Sequence, residues 1–180
     1  MAVDYFTKWV EAESLVNITW RACKEFFWKN VICRFGVPNT LITDNGTQFD
    51  NDHFRAFCAT WGIQLRYSSV AHPQTNGQAE AANKVILDGL KKKIEEAPGV
   101  WVDELPNILW AYRTTPRTST GETPFQLAYG NEAVVPVEIG IPSVRTRMFD
   151  PVCNDNSLRI NLDLVDEVRD AAAARTARYK

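Results

Sequence analysis

The sequence predicts an α/β fold, and three stretches carry that prediction. Ile63 to Ser69 alternates, with Ile63, Leu65 and Tyr67 against Gln64, Arg66 and Ser68, which is the period of a half-buried strand. Residues 77–97 repeat at helical spacing: Ala82, Val85, Ile86, Gly89 and Leu90 form a core stripe. Thr40 to Thr43 is a short extended run that delivers Asp44 just ahead of the turn dipeptide Asn45-Gly46.

The remaining elements follow in chain order. Ala2-Val3 and Trp9 to Leu15 read as two strands around a short polar turn. Val10 and Ala12, with Ser14, fall on one face, and Glu11 and Glu13 on the other. Thr19 is the expected N-cap of a helix near 20–34. Ala22, Cys23, Phe26, Phe27, Val31 and Phe35 make its apolar face, and Gly36 ends it. A second helix spans about 51–61 on Phe54, Phe57, Cys58 and Trp61, stopped by Gly62. Val70 to Gly77 is a loop. Pro98-Gly99 breaks the chain before a helix built on Trp101, Leu105, Ile108, Leu109 and Tyr112, where Pro106 must lie in the first turn or kink the helix. Arg113 to Glu122 is a loop, and Pro124 to Tyr129 a short helix. Beyond Gly130 the chain is loosely patterned to 157, and 158–178 resembles one arm of an amphipathic helix.

Composition narrows the functional classes. The chain has 180 residues, 45% hydrophobic and 23% charged, which suits one soluble domain with a sizeable core. A net charge of −2 gives no global basic footprint, so nucleic-acid binding must come from a local patch. The four cysteines, Cys23, Cys33, Cys58 and Cys153, contain no C-x-x-C, and His53 and His72 have no cysteine pair at finger spacing. A zinc site is not expected, His72 is not expected to bind metal, and buried thiols should be reduced. With no signal peptide and no apolar run long enough to span a bilayer, the protein is expected to be intracellular and free of the membrane.

Two acids stand out. Thirty-five residues (45–79) separate Asp44 from Glu80. One carboxylate follows a strand, and the other opens a helix. Such a pair can converge on one divalent cation, and its oxygens suit Mg²⁺, which uses few protein ligands and leaves room for phosphates. Glu80, Asn83, Lys84, Leu87 and Lys91 share one helix face. Lysines there can meet phosphates bound to the metal, although Lys91-Lys92-Lys93 reads equally well as a solvated face.

The words around these acids resemble the catalytic core of retroviral-type integrases, among them those of plant gypsy-class LTR retrotransposons. T-D-N-G-x-x-F lies at 43–49 and H-P-Q-x-N-G-Q-x-E-x-x-N-K at 72–84. F-G-V-P-N follows the same pattern at 35–39, W-A-Y-R-T-T-P at 110–116 and G-E-T-P-F-Q-L-A-Y-G at 121–130. The resemblance covers residues 1–142, leaving 143–180 as a linker and C-terminal helix fragment. It implies a ribonuclease H-like mixed sheet flanked by helices, and metal-assisted phosphoryl transfer with two Mg²⁺ (or Mn²⁺) ions between two aspartates and a glutamate. Asp44 matches the second aspartate and Glu80 the glutamate. DNA contacts are implied for Asn45, Gln74, Asn76, Asn83, Lys84, Lys91 and Arg113. DNA ends, target DNA and further copies of the chain are the implied partners, and the nucleus is the implied location.

The stretch holding Asp4 resembles the family's second and third strands, so Asp4 does not match the first aspartate. The expectation is a core without its first, central strand and without that ligand. Two functions therefore stay open: an integrase-type strand transferase and endonuclease, inactive as this chain alone, or a non-catalytic nucleic-acid-binding or assembly module with the same fold.

Overall fold

A computed structural model of the chain describes residues 1–68, 77–96, 101–134 and 144–179. The chain forms two compact units, one of Met1–Val3 with Val10–Leu109 and the other of Asp4–Trp9 with Trp110–Lys180.

In the first unit, strand β1 (Ala2–Val3) pairs antiparallel with β2 (Val10–Glu11), Ala2 opposite Glu11 and Val3 opposite Val10. The second strand is shorter than its apolar pattern predicts, and its outer face is not solvated. Glu11 is buried together with Val10, because Arg34 Nη1 reaches its carboxylate at 3.0 Å. Helix α1 (Trp20–Phe27) starts as expected, with Thr19 Oγ1 accepting the N–H of Ala22 at 3.2 Å. It runs into a π-helical turn at Trp28–Ile32, where the N–H of Cys33 bonds to the carbonyl of Trp28. A last turn, α2 (Cys33–Phe35), ends at Gly36 with φ +90°. That extra residue per turn rotates the later side chains, and Phe35, expected in the core, is exposed.

Strand β3 (Thr40–Thr43), helix α3 (Asp52–Thr60) and strand β4 (Gln64–Tyr67) form a β-α-β unit, with β3 and β4 parallel and Thr43 opposite Tyr67. Asn51 caps α3, its Oδ1 accepting the N–H of Phe54 at 2.9 Å. Cys23, Phe27, Ile32, Phe54, Phe57, Cys58 and Ile63 make one core cluster between α1, α3 and the strands, flanked by Leu41, Phe49 and Leu65. Helices α1 and α3 also meet along a row of side chains spaced by four. Trp20 stacks on His53 (4.6 Å), Lys24 lies over Phe57 (5.7 Å), and Trp28 meets Trp61 (4.9 Å). Trp61 was expected inside, but as the residue ending α3 it stays 42% exposed.

Helix α4 (Gly77–Glu96) buries Ala82, Ile86 and Leu90. Val85, at the margin of that stripe, is 49% exposed, so the apolar face is narrower than the sequence suggests. Gly89 lets Ile108 of α5 (Trp101–Thr114) approach, since a Cβ there would lie 3.2 Å from Ile108 Cγ2. Pro106 sits at the sixth residue of α5, beyond the first turn, and the helix continues through it. Among the described residues the strands form two two-stranded ladders, β1–β2 and β3–β4, not one continuous sheet.

The second unit is built around α6 (Pro124–Tyr129), which has Thr123 as N-cap and Gly130 in the left-handed region at its end. Phe125 and Tyr129 pack on Trp9, and Trp110 meets Phe125. The C-terminal region holds α7 (Val144–Arg147), α8 (Pro151–Asp163) and α9 (Val165–Tyr179). The single arm expected over 158–178 is thus two helices broken at Leu164, and α8 begins earlier because Asp150 Oδ1 accepts the N–H of Cys153 at 2.7 Å. Among the described residues no helix is long and apolar enough to cross a membrane.

Burial pushes the thiols of Cys23 and Cys58 above their ordinary range. The stability this contributes is complete below the unfolded thiol's pKa of about 8.5. It is lost as pH rises from there through the higher folded value. Denaturant midpoints measured from pH 7.5 to 10.5 are expected to fall more steeply for the natural chain than for Cys23→Ala/Cys58→Ala. Parallel slopes for the two proteins would contradict this.

Candidate metal and nucleic-acid site

Asp44 is exposed immediately after β3. The parallel ladder extends to its doorstep, since the N–H of Ser68 donates to the carbonyl of Thr43 at 2.8 Å. Thr43 itself is buried, which anchors the strand end, while Asp44 turns outward. Its Oδ1 accepts the N–H of Gly46 at 3.0 Å, and Gly46's carbonyl receives the N–H groups of Phe49 and Asp50, each at 2.8 Å. The turn therefore fixes one carboxylate oxygen toward its own backbone. Asn45 is exposed beside it. Asp44's charge also reaches into the core. The Cys23 thiol is raised first by burial, the chain's amino group at Met1 works against that rise, and Asp44 adds to it. The Met1 amino group is in turn lowered by its own burial. The start of β1, helix α1 and the end of β3 thus share one electrostatic neighbourhood.

Glu80 lies in the first turn of α4 and is exposed, where its negative charge complements the helix dipole. Asn83, Lys84, Leu87 and Lys91 are exposed along the same face, opposite the buried Ala82, Ile86 and Leu90. The division of α4 into a core stripe and a polar stripe is as the sequence predicts. Lys91 Nζ lies 4.0 Å from Asp88 Oδ1, so part of its charge is already answered. Neither Asp44 nor Glu80 has an ion-pair partner among the described residues.

Arg113 belongs to the second unit. Its guanidinium carbon sits 4.4 Å from the centre of the Trp9 ring, a cation–π contact that leaves it half-buried. Asp4 is used within the turn of residues 4–9, where its Oδ2 accepts the N–H and hydroxyl of Thr7 at 2.7 and 2.6 Å. Gln74, Asn76 and His72 lie outside the described residues. The role of Arg34 in holding Glu11 had no sequence signal, because 23 positions separate two charges with no shared periodicity (34 − 11).

Asp44 and Glu80 are oxygen donors of the kind a hard divalent cation takes, and among the described residues neither is engaged by a cationic side chain. Among the described residues no three His, Cys, Asp or Glu side chains cluster as a self-sufficient metal site.

Comparison with known proteins bears on the family and the fold. The integrase core domain family matches residues 1–73. The Gag-Pol polyprotein of avian reticuloendotheliosis virus is 30% identical over 138 residues, 77% of this chain but 12% of that polyprotein. The HTLV-2 integrase catalytic core domain, solved with magnesium in a trimeric form, superposes with a TM-score of 0.59. It is 23% identical and is matched over 70% of this chain and 80% of that one. A chain of the simian T-cell lymphotropic virus intasome, solved in complex with the PP2A regulatory subunit B56 gamma, gives a TM-score of 0.64 at 24% identity, over 74% of this chain and 48% of that one. The fold is that of an integrase catalytic core, ribonuclease H-like. Residues 1–73 match the integrase core domain, the chain as a whole is similar to retroviral-type integrase cores, and it spans about an eighth of the first polyprotein it matches.

Proposed function

We propose that this chain is the catalytic-core segment of a retroelement integrase, a strand transferase and endonuclease that acts on element ends and target DNA in the nucleus. The observation that carries this reading is the pair Asp44 and Glu80. One follows the buried Thr43 at the end of β3, the other opens an amphipathic helix, and among the described residues neither carboxylate has a cationic partner. Asp44 and Glu80 would hold Mg²⁺ or Mn²⁺, which supplies neutralisation of phosphate charge and activation of a water or 3′-hydroxyl. Asp44, tied through Oδ1 to Gly46, is held in one orientation by its turn. Asn83 and Lys84, one turn along from Glu80, and Lys91 beyond them, contact the DNA backbone. Asn45, Gln74 and Asn76 contribute polar contacts, and Arg113 adds charge from its perch on Trp9. The HTLV-2 integrase core is solved in trimeric and dimeric forms, and self-association is proposed here too.

A second reading has a specific observation behind it. Asp4, which does not match the family's first aspartate, spends its Oδ2 on the N–H and hydroxyl of Thr7 at 2.7 and 2.6 Å. The chain alone is therefore expected to bind DNA without joining its ends, as a binding or assembly module.

Lys84→Ala is expected to weaken binding of duplex DNA and to lower the slope of log K against log salt by about 0.9, one phosphate contact. Fluorescence anisotropy at several salt concentrations reads both quantities. An unchanged slope would remove Lys84 from the interface.

A further inference from the structure

We propose that the motif Gly121–Gly130 is a seat for the chain's own C-terminal helix α9, and that polar contacts along it form a latch that opens α9 as a unit.

The two glycines that bound the motif point to the arm. Each has φ +75°, which already disfavours a side chain. Each is also roofed by the arm. A Cβ at Gly121 would lie 3.1 Å from Arg175 Nε, and one at Gly130 would lie 3.2 Å from Val165 Cγ2 and 3.5 Å from the carbonyl of Asn161. The left-handed backbone favours glycine at both ends of the seat, and a side chain at either would press on the arm.

Between the glycines, α6 offers the groups the arm binds. Arg169 Nε donates to the carbonyl of Leu127 at 3.1 Å, and its Nη2 to that of Ala128 at 3.4 Å. Carbonyls of a last helical turn lack intrahelical partners, and a cation there also complements the helix dipole. Arg175 Nη2 donates to Glu122 Oε1 at 2.6 Å, and Thr176 Oγ1 to the carbonyl of Ser119 at 3.2 Å. Asn161 Nδ2 bonds to Asn131 Oδ1 at 2.9 Å. Leu127 and Ala172 are both fully buried. The positions used on α9 are 165, 169, 172, 175 and 176, one face of a helix.

The seat is polar where the core is apolar. Helix α8 has no buried residue, and among the described residues of α9 the fully buried apolar side chain is Ala172. Elements with few buried apolar contacts open at lower free energy than the core, and a partly exposed ion pair weakens with salt.

Hydrogen exchange read by mass spectrometry on the full chain tests the latch. Peptides covering 121–130 and 165–179 are expected to exchange together, faster than those covering α1 and α3, and faster again in high salt. Glu122→Gln should raise exchange in both by roughly 2- to 5-fold, the size of a partly exposed pair. Gly130→Ala should raise it by about tenfold through left-handed strain. The swap Glu122→Arg/Arg175→Glu should restore the natural rate, which either single reversal should not. Three results would each overturn the proposal: exchange in 165–179 unmoved by Glu122→Gln, a swap that restores nothing, or loss of protection in α1 as well.

Discussion

Asp44→Asn and Glu80→Gln are each expected to lower the chain's affinity for Mn²⁺ by at least about tenfold, since each removes a charged ligand from a shared cation. In any form of the protein that joins DNA ends, either change should reduce that joining by on the order of 10³ or more. A ligated metal supplies several kcal/mol of transition-state charge stabilisation, and about 1.36 kcal/mol is worth a factor of ten. Calorimetric Mn²⁺ titration reads the first effect and a gel-based joining assay the second. The 180-residue chain itself should join nothing with either metal. If it does, and Asp4→Asn abolishes the activity, then Asp4 is a ligand and its use within the turn is not its only role.

The largest effect on stability is expected at Phe54. It is 1% exposed, lies at the start of α3, and touches both Phe49 (5.3 Å) and Phe57 (6.0 Å). Truncation to alanine loses the buried ring and leaves a cavity that strand and helix walls close only in part. The cost should be about 3–5 kcal/mol, a large share of a total stability of about 5–15 kcal/mol. Urea unfolding monitored by circular dichroism measures it. A loss below about 1 kcal/mol would mean that the cluster around Phe54 is not the centre of the first unit.

What could be read from sequence, and what could not, divides by the range of the interaction. Helix α4 was read almost to the residue, because its core and polar stripes repeat every turn and Pro98-Gly99 marks its end. The strand Gln64–Tyr67 was equally plain from its alternation, and Asp44 from the Asn-Gly turn behind it. Glu11 was misplaced because a period-two pattern assigns an acid to water and says nothing of an arginine arriving from another element. Phe35 and Trp61 were misplaced because both lie where a helix ends. There a π-helical turn or a terminus rotates the side chain away from the face that periodicity gives it. The docking of α9 was missed for the first reason again. Arg175 and Glu122 lie 53 positions apart, and no local pattern links them. The motif at 121–130 was visible as a motif, but its two glycines acquired a reason only once the arm was seen above them.

The most direct test of the central claim is anomalous scattering from Mn²⁺ in crystals of this chain. The account predicts a peak bound by both Asp44 and Glu80, with carboxylate oxygens at roughly 2.0–2.2 Å as for a hard divalent ion. A peak on neither residue, or carboxylates more than about 10 Å apart, too far to share one ion, would contradict it.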